Sequence, residues 1–144
     1  MQTKISGEFI SNRDWFSNVL AGENVILRGV SALEYLELFT GYMKESRIDV
    51  YAQNIGKYSN VRYHVVDSFS GIDYFRQGDI LCSGFSQAVN DILSEDGDMY
   101  ALTEAMSNYY YAHDMSFDGI AVKPENMERF AELKEWAVEF YRGG

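Results

Sequence analysis

The chain has 144 residues, 47% of them apolar and 15% aromatic, a composition that folds and is long enough for one domain with its own core. Twelve Lys and Arg against 22 Asp and Glu leave a net charge of −10, which argues against direct nucleic-acid binding and toward a basic protein partner. A single cysteine, Cys82, excludes an internal disulfide framework, and its company of only two histidines, His64 and His113, speaks against a structural zinc site. The N-terminal "MQTKISGEF" lacks the apolar core of a signal peptide, and no stretch approaches the roughly 18 apolar residues of a membrane span, so a cytoplasmic protein without membrane contact is expected.

In chain order, "NRDWFSNVLAG" at 12–22 predicts a short helix, with Asn12 as cap, Gly22 as stop and Trp15, Phe16, Val19 and Leu20 on one face. Residues 24–28 read as a strand. Ser31 and Glu34 then have the spacing of a capping box, with Val30 and Tyr35 as its hydrophobic staple. That predicts a helix with an apolar stripe of Ala32, Leu33, Tyr35, Leu36 and Phe39, ended by Gly41. "RIDVYAQ" at 47–53 and "VRYHVVD" at 61–67 read as strands in a hairpin-like pair, and 72–84 as two short strands turning at Gln77-Gly78.

Beyond them, 86–95 predicts a helix capped by Ser86 with Val89, Ile92 and Leu93 inward, "DGD" a break, and 99–113 the next helix. "FDG" is a turn, and Pro124 fits a first helical position. An acidic last helix is expected over 125–142, with Met127, Phe130, Leu133, Ala137 and Phe140 on its buried face and Glu125, Glu128, Glu132, Glu135 and Glu139 on its wet one. Strands clustered in the middle and helices at the end predict a single α+β domain over 1–144. Its central sheet, mostly antiparallel, would fall at about residues 24–84, below a helical C-terminal third.

Motifs for chemistry fail one by one. Glu95, Asp96 and Asp98 lack the spacing of a calcium loop. Asn108 stands where a helical ribonuclease would need an Arg before His113 to handle phosphate. Cys82 lies in no nucleophile elbow, though it could meet His64 or His113 in space. The bland reading makes Cys82 a small buried residue and His64 a surface or partly satisfied sheet histidine. No phosphate loop or dinucleotide fingerprint is present, so no catalytic residue, metal or cofactor is expected. Tyr109, Tyr110 and Tyr111 span about 200° of a helix, so at least one must face outward or into a partner.

Two segments carry a family likeness. "VILRGVSALEYLEL" resembles the strand–turn–helix of abortive-infection antitoxins of the AbiEi type. "VRYHVVD…GDILCSGFSQAVNDIL" is similar to that family's strand, Gly-led strand and capped helix ending Asp-x-Leu, here Asp91 and Leu93. "MYALTEAMSNYY" falls where the family has an Ala-containing helix, so the resemblance covers about residues 24–112. It departs at Phe85, Ser86, Gln87 and Ala88, where the family carries a Pro-Glu-Arg-Thr-like string. Only about 23 residues precede the match, too few for the family's DNA-binding winged helix. The resemblance implies a non-enzymatic antitoxin that counteracts a nucleotidyltransferase-type toxin without DNA-binding autoregulation.

Charge adds a direction to that expectation. Residues 1–72 hold seven Lys and Arg against eight Asp and Glu, residues 73–144 five against fourteen. The acidic half would face a basic toxin or a nucleic-acid-binding enzyme, with Tyr109, Tyr110, Glu128, Glu132 and Glu135 as the contact residues. An alternative is an acidic phage-type inhibitor, an anti-CRISPR or nucleic-acid mimic, that blocks a nuclease effector by presenting carboxylates as phosphates. A third is an enzyme built on a spatial Cys82–His pair.

Overall fold

The computed structural model describes residues 16 and 20, residues 23–39 and residues 48–143, the last three without their side chains. Asn12, Trp15, Val19 and Gly22 of the expected first helix, and the expected stop Gly41, lie outside the described residues. Phe16 and Leu20 are both helical and buried in the core.

Five strands, β1 (Val25–Leu27), β2 (Ile48–Ala52), β3 (Val61–Val65), β4 (Tyr74–Gln77) and β5 (Ile80–Ser83), form one sheet in the order β3-β2-β1-β5-β4. Helix α1 (Gly29–Tyr35) follows β1. After β5 come α2 (Phe85–Ser94), α3 (Met99–Ala112), a 3₁₀ turn at Pro124–Asn126 and α4 (Met127–Gly143). The α+β class, the sheet at 24–84 and the helical last third agree with the expectation. The pairing is mixed, however: β1–β2 and β4–β5 are antiparallel, β1–β5 and β2–β3 parallel.

The expected hairpin of 47–53 with 61–67 is therefore corrected, since the two strands are neighbours but run in the same direction, Ile48 beside Val61 and Ala52 beside Val65. A five-residue strand is about 17 Å long. The eight residues 53–60 can reach about 26 Å extended, enough to carry the chain back without a helix. The β4–β5 turn lies one residue later than expected, at Gly78-Asp79, with Gly78 (φ +61) at the first central position where a two-residue loop favours glycine.

Register sorts the side chains. Val25, Leu27, Ile48, Val50, Ala52, Val61, Ile80 and Cys82 share one face and join the core with Ala32 and Leu33 of α1. Ile26, Asp49, Tyr51, Arg62 and His64 occupy the opposite face. Helix α1 lies against β2 and β5 and touches α2 and α3, while α4 runs along α3. Phe130 and Leu133 attach α4, each contributing about 2 kcal/mol through buried apolar area. Met127, expected beside them, is exposed, because the 3₁₀ turn that precedes it places Asn126 inward instead.

Helix ends depart from the expected signals. The helix after β1 starts three residues early, with Arg28 as N-cap in place of Ser31 and no side-chain cap. Ser31 does not cap it; its Oγ accepts the backbone N–H of Asp49 on β2 (2.9 Å), tying helix to sheet. With Val30 already inside the helix, the staple register is lost as well. The helix also stops six residues short of Gly41. Glu37 (φ +62) takes the left-handed position, with Leu38 N–H donating to Leu33 O and Glu37 N–H to Glu34 O, both at 3.1 Å. Gly84, not Ser86, is the N-cap of α2, because the Ser86 hydroxyl accepts the Ala121 N–H (2.9 Å). Asp98 caps α3 by accepting from Ala101 N–H (3.0 Å).

Candidate functional site: a buried arginine cluster and an acidic helical face

Among the described residues, two places concentrate polar and charged side chains. The first begins where β1 ends. Arg28 continues the ladder, its N–H donating to Asp49 O (3.0 Å), so its side chain emerges on the face shared by Asp49, Tyr51 and His64. Gly29 (φ +53) then turns the chain into α1 so close to Asp49 that a Cβ would come within 3.1 Å of its Oδ2. The arginine is 1% exposed.

Its guanidinium is held on all sides. Nη1 donates to Asp49 Oδ2 (2.9 Å), Nη2 donates to the Glu95 carboxylate and lies 3.6 Å from Asp91 Oδ2, and the Tyr51 ring lies 4.6 Å beneath. Tyr51 OH donates to Asp91 Oδ2 (2.6 Å), and Gln87 Nε2 to Asp91 Oδ1 (3.1 Å). His64 Nε2 stands 3.0 Å from Arg28 Nη1 and 2.8 Å from Asp49 Oδ1. Asp49 Oδ1 and Arg28 Nε are buried without hydrogen-bond partners.

Burial and charge compete here. Burial pushes the Asp49 carboxyl above its ordinary value against the pull of Arg28 and His64, and pushes Asp91 up against the Tyr51 hydrogen bond and Arg28. Burial, then the hydrogen bond to Asp91, drives the Tyr51 phenol up to about 12. Arg28 is pulled down by burial but held above its ordinary value by Glu95 and Asp49. With the carboxylates of its own chain around both terminal nitrogens and the Tyr51 ring beneath, the guanidinium is enclosed by the fold, although its Nε–H has no partner. The cluster is a clamp joining β1, β2, β3 and α2.

The second place is the outer side of α3 and α4. Glu125, Glu128, Glu132, Glu135 and Glu139 are all exposed, as the amphipathic pattern predicts. Among them stands Trp136, 46% exposed, with Tyr100 of α3 62% exposed. Met99, Tyr100, Thr103, Trp136, Glu139 and Phe140 line a groove between the two helices, in which Tyr100 and Phe140 meet edge-to-face (5.9 Å). A second hollow, lined by Glu135, Trp136, Val138 and Glu139, flanks the indole. Of the cations of α4 with described side chains, Arg129 donates to Leu93 O (2.7 Å), to Asp96 Oδ1 (2.8 Å) and to Met99 Sδ at the groove wall (3.7 Å), and Lys134 covers the Phe130 ring (5.3 Å).

The remaining candidates are absorbed internally. Tyr109 stacks between Phe85 (5.0 Å) and His113 (3.8 Å) and donates to Asp118 O (2.5 Å), and Tyr110 stacks on Phe117 (4.6 Å). Tyr111 OH donates to Val138 O (3.4 Å). Asn108 donates to Leu38 O (2.6 Å). His113 Nδ1 lies 2.7 Å from Tyr109 O. Cys82 is wholly buried on the core face, opposite the face that carries His64, while His113 is exposed at the end of α3. Of the acids at 95–98, Glu95 serves Arg28, Asp96 serves Arg129 and Asp98 caps α3.

No described helix is long and apolar enough to cross a membrane. Comparison with family models, with curated proteins and with solved structures found no match.

Proposed function

We propose that the protein is a non-enzymatic, antitoxin-like inhibitor that neutralises a basic partner through the acidic surface of its second half. One observation carries this reading. Between Arg76 and Lys123 the chain has eight Asp and Glu and no Lys or Arg, and α4 with the turn before it adds an exposed row of Glu125, Glu128, Glu132, Glu135 and Glu139. Arg28 answers Asp91 and Glu95, and Arg129 answers Asp96, but the acidic excess of this half is far larger, and that excess supports a partner that supplies cations. The resemblance of residues 24–112 to AbiEi-type antitoxins supports a nucleotidyltransferase-like toxin as that partner. Glu128, Glu132 and Glu135 lie on the exposed face and serve as contacts. Tyr109 and Tyr110, committed to internal stacks, contribute by holding the end of α3 in place.

The test is growth rescue. Co-expression of the chain should relieve the toxicity of a nucleotidyltransferase-like protein encoded beside it, and the two should co-purify in a salt-sensitive complex. Toxicity unchanged by co-expression would refute the reading.

The glutamate spacing favours a second reading. Glu128 to Glu139 sets four carboxylates on about 16 Å of helix, a ladder that can stand in for a nucleic-acid strand. In that case the chain should compete with DNA or RNA for a nuclease effector, which a displacement titration would decide.

A further inference from the structure

We propose that the groove between α3 and α4 around Trp136 is the docking site for a basic amphipathic helix of the partner, with an apolar side chain against the indole and Lys or Arg beside Glu132, Glu135 and Glu139. The proposal rests on the inhibitor reading and deepens it by naming the place and the chemistry of contact.

Trp136 is not needed for the packing of α4, which Phe130, Leu133 and Ala137 achieve with nearly complete burial. Yet Trp136 stays about half exposed and Tyr100 mostly so, side by side with the partly buried Phe140. Large aromatics left out of the core and flanked by hollows are the anchors that dominate binding energy at interfaces. A trough between two packed helices takes an amphipathic helix by its i, i+3, i+4, i+7 stripe.

The charges select the occupant. Glu132 precedes Trp136 by four residues, Glu139 follows it by three and Glu135 adjoins it, so carboxylates border the indole along the helix axis. A second copy of a −10 chain, a nucleic acid or an anionic lipid surface would bring more negative charge to this border. A basic helix brings the missing cations, and its apolar face covers the rings.

The probe is a synthetic helix of about 18 residues with Leu on one face and Lys on the other, alongside an isomer of equal composition with Leu scattered. The full chain carries two tryptophans, so a Trp15→Phe variant reports Trp136 emission alone. Binding of the amphipathic peptide should shift that emission to the blue. Calorimetry on the otherwise native chain should show Trp136→Ala weakening affinity about tenfold or more, with Glu135→Lys acting in the same direction. Equal binding of the scattered isomer, or a Trp136→Ala chain of unchanged melting temperature and unchanged affinity, would overturn the proposal. The two readings fail separately. If Trp136→Ala still rescues growth while losing the peptide, the groove is not the inhibitory contact and the inhibitor stands. If the native chain binds the peptide but rescues nothing, the groove stands and the inhibitor falls.

Discussion

Arg28 leaves β1 with its guanidinium almost wholly out of water, so its hydration is replaced by Asp49, Asp91, Glu95, His64 and the Tyr51 ring. Desolvating such a set makes the net gain from its attraction small, but removing the cation leaves carboxylates buried and uncompensated. Arg28→Met is therefore expected to lose about 3–5 kcal/mol of stability in urea denaturation. Arg28→Lys should recover only part of it, because one ammonium cannot hold Asp49 with one arm and Glu95 with the other. Adding Asp49→Asn and Asp91→Asn to Arg28→Met should restore stability if the loss is electrostatic. None of this clamp was legible in the sequence as a site. "VILRG" did show an arginine ending a buried strand, and Asp49 with Tyr51 alternates along β2. But Arg28 and Glu95 are 67 residues apart, and only the sheet order brings them together. Ser31 misled for a related reason: its spacing to Glu34 is that of a local cap, and a tertiary donor, the Asp49 N–H, claimed its hydroxyl.

At the scale of elements, strands and helices were legible because their patterns are local, and the ends of α2 and α3 fell within one residue of 86–95 and 99–113, while the bounds of α1 and the direction of the strands were not. Three helices stop at left-handed residues that are not glycine, Glu37, Asp96 and Asp114, and Met115 also has positive φ. The stop at Asp96 shows in "DGD", but composition gives no sign of the stop at Glu37, where no glycine adjoins it. Likewise β2 and β3 alternate as a hairpin pair would, and alternation says nothing about strand direction. Helix α4 is the element whose charge pattern works against its own stability. Glu128 and Glu132, Glu132 and Glu135, and Glu135 and Glu139 repel at three- and four-residue spacings, each by a few tenths of a kcal/mol. Glu135→Lys turns two of those repulsions into attractions and is expected to stabilise the fold by about 1 kcal/mol, read as a higher melting temperature. The same variant should lose affinity for the basic partner, since the groove then carries a cation at its rim. A residue that improves stability when replaced and impairs binding when replaced is one retained for contact. Unchanged stability would show that the row is screened, and unchanged affinity that contact lies elsewhere.

Across the whole molecule, the charge imbalance was legible by counting, but its partition between an internal clamp and an outer face was not. Asp49, Asp91 and Glu95 are spent on Arg28, so the glutamates of α4 remain the exposed block. This partition sets an unusual pH response. Asp91 and Asp49 titrate above the ordinary carboxylate value of about 3.8 because burial disfavours their charged forms. Between that value and the raised one, the folded chain binds more protons than the unfolded chain. Stability contributed by these two groups is then present at the acidic end of the window and falls as pH rises through it. The −10 net charge acts with the same sign, since mild acid relieves self-repulsion. The melting temperature is therefore expected to be higher near about pH 4, just above the ordinary carboxylate value, than near about pH 7.5, the reverse of ordinary acid destabilisation. Asp91→Asn separates the two causes: it removes the buried carboxyl and leaves the glutamates of the surface in place. The difference between the two pH values should shrink in that variant without vanishing. A difference identical to that of the native chain would assign the whole response to surface repulsion, and a lower melting temperature at the acidic pH would show that the clamp needs both carboxylates charged to hold Arg28.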